Sequence, residues 1–240
     1  LNQRGGQVPN GFLLELSAPN GSIFYTTNGT DPRAPVLIQE LSRTTLVTRA
    51  AAKKVLVPSV TGALANTWRD LGFPDSTWTA GSGGVGYDRE ATYRPHIQTD
   101  VGAAMDNQNT SVLVRIPFGY EGSYEGKGSN LNFMLLRMQY DDGFAAFLNG
   151  VPIASANAPI SLSQTSSATG QNSDSAAVIF EEFNADAGLA ALRAGDNILA
   201  IQGLNIGLSS SDFLLAAELI LGERPIEQSR IAAVAYTGPI

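Results

Sequence analysis

Between Gln139 and Ile153 the chain carries two turn signals, Asp142-Gly143 and Asn149-Gly150, on either side of the apolar run Phe144–Leu148. Asp-Gly and Asn-Gly favour two-residue hairpin turns because the central positions need positive φ, which Gly takes freely and Asn or Asp take at small cost. The spacing predicts three short antiparallel strands in succession, at 131–140, 144–148 and 151–155. In the first of them Met134, Leu136, Met138 and Tyr140 share one face while Arg137 and Gln139 share the other. That period of two belongs to a strand with one side in a core. The same patterning predicts further strands at 11–16, 22–27, 44–47, 112–118, 177–180, 197–202 and 212–221. Two short helices are expected, one running from Thr99 to Met105 and one capped by Asp186 over 187–193, with Gly195 as its terminator. Segments 68–78 and 81–86 read as loop and Gly-rich bend. The Ser/Thr/Asn/Gln stretch 156–175 is too poor in apolar residues for a core strand and reads as a long surface loop. The fold class expected is therefore all-β, a β-sandwich or jelly roll.

Composition narrows the partners more than it narrows the fold. Charged residues make up only 15% of the chain and 25 residues are Gly, the balance of a loop-rich β protein. Net charge is −7 with no basic block. Duplex nucleic acid and anionic membrane surfaces both demand concentrated positive charge, so neither is an expected partner. There is no cysteine, which excludes disulfides, thiolate metal sites and cysteine nucleophiles. No apolar run approaches the length of a membrane span. The chain opens Leu1-Asn2-Gln3-Arg4, without an initiator Met or a signal-peptide pattern. It is expected to be a mature or excised piece of something longer.

Two resemblances organise the chain. Ser22-Ile23-Phe24-Tyr25-Thr26-Thr27-Asn28-Gly29-Thr30-Asp31-Pro32-Arg33 resembles the signature of the chitobiase/β-hexosaminidase C-terminal-type domain, a small immunoglobulin-like sandwich appended to many secreted bacterial proteins. The Tyr-Thr-Gly-Pro-Ile segment of that family is not found in 34–50 and stands instead at Tyr236–Ile240. The resemblance implies a small sandwich split between residues 1–50 and 223–240, with residues 51–222 inserted and strand edges left exposed. The alternative is an ordinary C-terminal tail with a Thr-Gly-Pro turn. Across 55–222, the ordered series Val55–Pro58, Trp68, Phe73–Trp78, Gly83–Tyr87, Val114–Phe118, Tyr140–Phe144, Leu148–Gly150, Asn197–Asn205 and Ser210–Phe213 is similar to a jelly-roll module of large exported planctomycete-like and verrucomicrobial proteins. Its kind is the galactose-binding-like sandwich that accompanies glycoside hydrolases. The resemblance implies a fold and an extracellular or cell-surface setting; fold alone does not imply a ligand.

Catalytic chemistry finds little to build on. A nucleophilic triad needs an activating His, and the single His96 lies in Tyr93-Arg94-Pro95-His96-Ile97 without a nucleophile motif. Carboxyl pairs such as Glu121 with Glu125 or Asp141 with Asp142 could be cast as a glycosidase pair, but any chain with 22 acidic residues offers such pairs. The chain is expected to be non-catalytic. Calcium is the one cofactor the pattern suggests, with none required: Asp141, Asp142, Asp174 and Asp212 are the candidate ligands, Asp88 standing further off. Calcium wants clustered oxygen donors of the sort that sandwich loops supply. For carbohydrate, aromatic faces must meet C–H surfaces while acids and amides meet hydroxyls. The Gly-rich tip holding Tyr120, Glu121, Tyr124 and Glu125 has that chemistry, and Tyr87 and Tyr93 near Arg89 and Arg94 form a second group. Trp68 and Trp78 read as core. Asn20, Asn28 and Asn109 open glycosylation triplets, a weak signal in an Asn-rich chain. The expected function is a non-catalytic extracellular module binding carbohydrate or surface glycan. The competing expectation is a filament subunit or spacer that joins further copies of itself through strand edges.

Overall fold

We describe residues 7, 9–25, 42–58, 64–122, 131–223, 234–235 and 237 of a computed structural model. The chain divides into two compact units, 1–41 with 225–240, and 42–224. In chain order the strands are β1 (Phe24–Tyr25), β2 (Ser42–Val47), β3 (Lys53–Leu56), β4 (Thr79–Gly81), β5 (Gly84–Asp88), β6 (Ile97–Asp100) and β7 (Ser111–Tyr120). They continue as β8 (Phe133–Asp141), β9 (Gly143–Leu148), β10 (Val151–Ala156), β11 (Glu181–Asn184), β12 (Gly195–Leu204), β13 (Asp212–Glu223) and β14 (Val234–Ala235). Two one-turn helices are α1 (Gly102–Met105) and α2 (Asp174–Ala177).

The larger unit is an all-β sandwich of jelly-roll type. Among the described residues one sheet runs β10-β9-β12-β7-β3-β4, and the other runs β11-β8-β13-β5-β6 with β2 also paired to β13. Inward side chains from both sheets meet in one core. Val112, Val114, Ile116, Leu199 and Ile201 come from the first sheet, and Met134, Leu136, Met138, Tyr140, Phe213, Leu215 and Leu219 from the second. The alternation read along 133–141 is thus the core-facing pattern of β8. On its other face Arg137 pairs with Glu218, and Gln139 accepts from Arg49 Nε and donates to the Val178 carbonyl. β13 is the spine of its sheet. It pairs along its length with β8 on one side, and on the other with β5 near its start and β2 near its end.

The outer faces are covered as well. Trp68, Trp78, Phe147 and Leu113 form a satellite core under the loop at 64–78, with Trp68 and Trp78 centroids 6.3 Å apart. Both Trp residues are therefore core. Tyr93, Ala177 and Leu214 make a smaller cluster on the outside of the second sheet.

Several expectations are corrected here. Asn149-Gly150 does turn a hairpin, with φ of 50° and 89° and β9 antiparallel to β10. Asp142-Gly143 does not: β8 and β9 lie in different sheets, and the chain crosses the sandwich there. Residues 177–180 are the end of α2 and a turn, and the strand begins only at Glu181. Asp186 opens a single 3-10 turn through Gly188, not a helix to 193. Segment 156–175 is a surface loop over 157–173, as expected, but a tethered one. Its carbonyls at Ser163 and Ser166 accept from Gln202 Nε2 and Ser111 Oγ, which binds it to the first sheet.

In the smaller unit β1 and β14 pair antiparallel, Phe24 opposite Ala235 and Tyr25 opposite Val234. Residues 26–33 of the proposed signature, with Tyr236 and 238–240, lie outside the described residues. The division between units falls at 41/42, because β2 belongs to the larger sandwich through its pairing with β13.

Candidate functional site

The sequence-predicted aromatic platform is not a surface. Tyr87 is buried in the main core, and its hydroxyl donates to the Ser210 carbonyl at 3.0 Å. Burial and the acids around it push that phenol up to about 12. Tyr93 is fully buried on the opposite side of β5. Neither ring can stack on a sugar. Tyr120 ends β7 half-buried against the core, and Glu121 follows it exposed. Tyr124 and Glu125 lie outside the described residues. Arg89 does stand beside Tyr87, donating to the same Ser210 carbonyl, and it also holds Asp106 at 2.6 Å. His96 closes a 3-10 turn with Arg94, and its carbonyl accepts from Arg49.

The four candidate aspartates separate. Asp141, Asp142 and Asp212 are buried where β8 ends and β13 begins, whereas Asp174 is exposed in the first turn of α2. Asp142 is committed to structure: its two oxygens accept from Asn172 N at 3.2 Å and Ile206 N at 2.8 Å. These bonds fasten two loops at the crossing between sheets. Among the described residues no group of three or more His, Cys, Asp or Glu side chains forms a metal cage. Asp141 is driven up to about 9, first by burial and then by the neighbouring Asp142 and Asp212.

A second feature went unforeseen. Between β3, β4, β6 and α1 the sandwich opens into a groove of about 350 Å³. Val55, Val57 and Val101 extend the main core to its floor. Thr77, Thr79 and Asp100 are exposed at its rim, and Ala103 and Ala104 of α1 form a wall. One oxygen of Asp100 accepts from Gly102 N at 2.7 Å, which sets the start of α1. The Thr99 hydroxyl is already engaged, donating to Ser82 O and accepting from Ser82 N. Cavities of roughly 300–1,000 Å³ with apolar walls and a few convergent polar groups are the usual form of a small-ligand site. No periodicity marks these residues, since they are contributed by segments far apart in the chain and carry small aliphatic or hydroxyl side chains.

Beside the groove lies a buried amine. Lys53, only 4% exposed on β3, donates to the carbonyls of Gly83 and Arg49. Burial, with Arg49 close by, lowers it from 10.5 to about 8. Between those two values the unfolded chain holds a proton that the folded chain has released, so stability rises with pH across the window. Lys53→Met should abolish that rise. Urea unfolding at a series of pH values is expected to show the unmodified chain gaining up to about 3 kcal/mol relative to the variant between the two limits.

Fold and groove together define a jelly-roll β-sandwich with a cleft of ligand size. No family model matches the chain, and no curated protein matches it. Solved structures that resemble it include β-glucuronidases. The Bacteroides uniformis enzyme is 14% identical, with a TM-score of 0.44, over 75% of this chain and 18% of that one. The enzyme of an uncultured Clostridium sp. is 10% identical, with a TM-score of 0.42, over 76% and 30%. That of Bifidobacterium dentium, complexed with coumarin-3-O-glucuronide, is 15% identical, with a TM-score of 0.40, over 68% and 20%. The chain spans less than a third of the length of each. Among the described residues no helix is long and apolar enough to cross a membrane.

Proposed function

We propose that this chain is a non-catalytic module of an exported or cell-surface protein, and that its groove binds a carbohydrate unit. The groove carries the reading. Its valine floor offers an apolar surface to the C–H faces of a sugar, while the exposed Thr77, Thr79 and Asp100 supply hydroxyl and carboxylate groups along its lining. Aliphatic side chains take the place of the aromatic platform expected from sequence. Export rests on the resemblance of residues 55–222 to modules of exported proteins.

Assembly through strand edges has less support in the larger unit. Edge strand β10 carries Pro152 and a bulge between Pro152 and Ala154. Edge strand β11 exposes Glu181 and Glu182, and β4 is only three residues long. Proline, bulges, charge and shortness are the devices that block strand addition.

Titration calorimetry against a panel of mono- and disaccharides tests the proposal. Binding by at least one sugar is expected, weakened about tenfold or more in Asp100→Asn, which keeps the bond to Gly102 but loses the charge. No heat from any sugar, or full affinity in the variant, would overturn it.

A further inference from the structure

The groove between β3, β4, β6 and α1 is closed at one end by the Gly-rich bend that follows β4. The Thr99 hydroxyl donates to Ser82 O at 2.8 Å and accepts from Ser82 N at 3.0 Å. Those two bonds stitch the chain leaving β4, an edge of one sheet, to β6, an edge of the other. Gly81 suits so close an approach, since a Cβ there would stand 2.6 Å from Thr99 Oγ1. The lining of the groove accordingly reaches no further than Thr79 on β4 and Thr99 on β6. A volume of about 350 Å³ lies at the small end of the usual range for ligand sites, enough for about one or two sugar rings.

The groove also carries one sign of charge. Among the described residues that line it, Asp100 is the single charged group, and no lysine, arginine or histidine joins it. Its carboxylate is exposed, accepts from Gly102 N, and forms no ion pair among the described residues. The cations of the neighbouring strand and turn are engaged elsewhere. Lys53 donates to the Gly83 and Arg49 carbonyls, and Arg49 to Gln98 Oε1 and the His96 carbonyl. Gly83, Gln98 and His96 all lie past the Thr99–Ser82 contact. Lys54 stands opposite Ala80 and Arg115 in the ladders of β3 and does not line the groove. Val101, Ala103 and Ala104 bring low-dielectric surface to the same wall, so the Asp100 charge acts more strongly than one on an open surface. We propose, building on the carbohydrate reading above, that the groove selects sugars by charge: an amine-bearing sugar binds ahead of its neutral counterpart, and a uronic acid is turned away. A protonated amine supplies the counter-charge that Asp100 lacks. An anionic sugar sets a second negative charge beside it with no cation between them, and discrimination of this kind comes from repulsion as much as from attraction. The net charge of −7 works in the same direction.

Titration calorimetry on the full chain, near pH 6 and at low salt, tests the selection. The probes are the methyl glycosides of glucose and galactose, their 2-amino-2-deoxy derivatives, and the corresponding uronic acids. In at least one series the amine is expected to bind about three- to tenfold more tightly than the neutral sugar, and the uronic acid more weakly by a similar factor. Both differences should shrink to within about twofold in ~0.5 M NaCl, a measurement on the unmodified chain that depends on no variant folding. Asp100→Asn should level them likewise at low salt. Equal affinity for amine and neutral sugar, or tighter binding of the uronic acid, overturns the selection and leaves the carbohydrate role of the groove standing. Differences that persist in Asp100→Asn overturn it equally, by placing the selecting charge elsewhere. Binding by none of these probes overturns the selection, and binding by no sugar of the wider panel overturns the carbohydrate role with it.

Discussion

Replacing Arg115 by methionine is expected to destabilise the larger unit by about 3–5 kcal/mol, the largest loss from any single charged side chain described above. Arg115 lies on the outward face of β7 and is 2% exposed. Its Nε holds Asp75 at 2.8 Å, and its terminal nitrogens donate to the carbonyls of Trp68, Asp70, Leu71 and Phe73. The guanidinium also lies 5.4 Å from the Phe73 ring centroid. One side chain therefore satisfies the polar backbone of a whole loop at the point where it covers the sheet. Methionine would keep the aliphatic packing but orphan those carbonyls and the Asp75 carboxylate, each at a cost of about 1–3 kcal/mol where water cannot reach. Because Trp68 and Trp78 sit under that loop, the loss should appear twice: as a lower urea midpoint, and as a red-shifted tryptophan emission before the main transition. An unchanged midpoint would mean that the loop is held by its aromatic packing alone.

Gly86→Ala should be nearly as damaging, for the opposite reason. A Cβ built on Gly86 would stand 2.1 Å from the Phe213 carbonyl oxygen, and 3.1 Å from its carbon. Those atoms are backbone of β13 and cannot rotate away. Relief requires β5 to move from the spine of its sheet, and Gly86 O also accepts from the N–H of Val101, which lines the groove floor. The expected penalty is about 3 kcal/mol, with any ligand affinity of the groove reduced in parallel. Gly119→Ala is the matched control, since nothing lies within 4 Å of its Cβ, and it should shift the urea midpoint by less than about 0.5 kcal/mol equivalent.

How far the sequence could be read follows from what each residue type encodes. Period two along 133–141 named the buried face of β8 correctly, because Met134, Leu136, Met138 and Tyr140 have no other way to share a side. Asn149-Gly150 was legible because positive φ at both positions leaves few other structures. Asp142-Gly143 carried the same local signal, yet its carboxylate is drawn away to Asn172 N and Ile206 N, and the chain crosses to the other sheet. Turn chemistry speaks of local φ and is silent about which sheet the next strand joins. Aromatic exposure was the weakest inference. Tyr87 and Tyr93 resembled a platform only because their neighbours are polar in sequence; in space Phe213 and Val85 share the core with the first, and Leu214 and Ala177 cluster with the second. The groove left no trace in the pattern, because its floor is ordinary core valine and its rim ordinary threonine.

The place where the larger unit begins and ends has a thermodynamic consequence for the rest of the chain. Ser42 and Glu223 are register partners across the β2–β13 ladder, so the polypeptide enters and leaves this unit through adjacent strands. Bringing the ends of so long a flexible stretch together would cost about 4–5 kcal/mol in closure entropy before β1 and β14 could meet. Once the jelly roll has formed, that entropy has already been spent and the two flanks emerge a single strand spacing apart. Pairing of Phe24–Tyr25 with Val234–Ala235 then closes a far shorter effective loop than their separation along the chain.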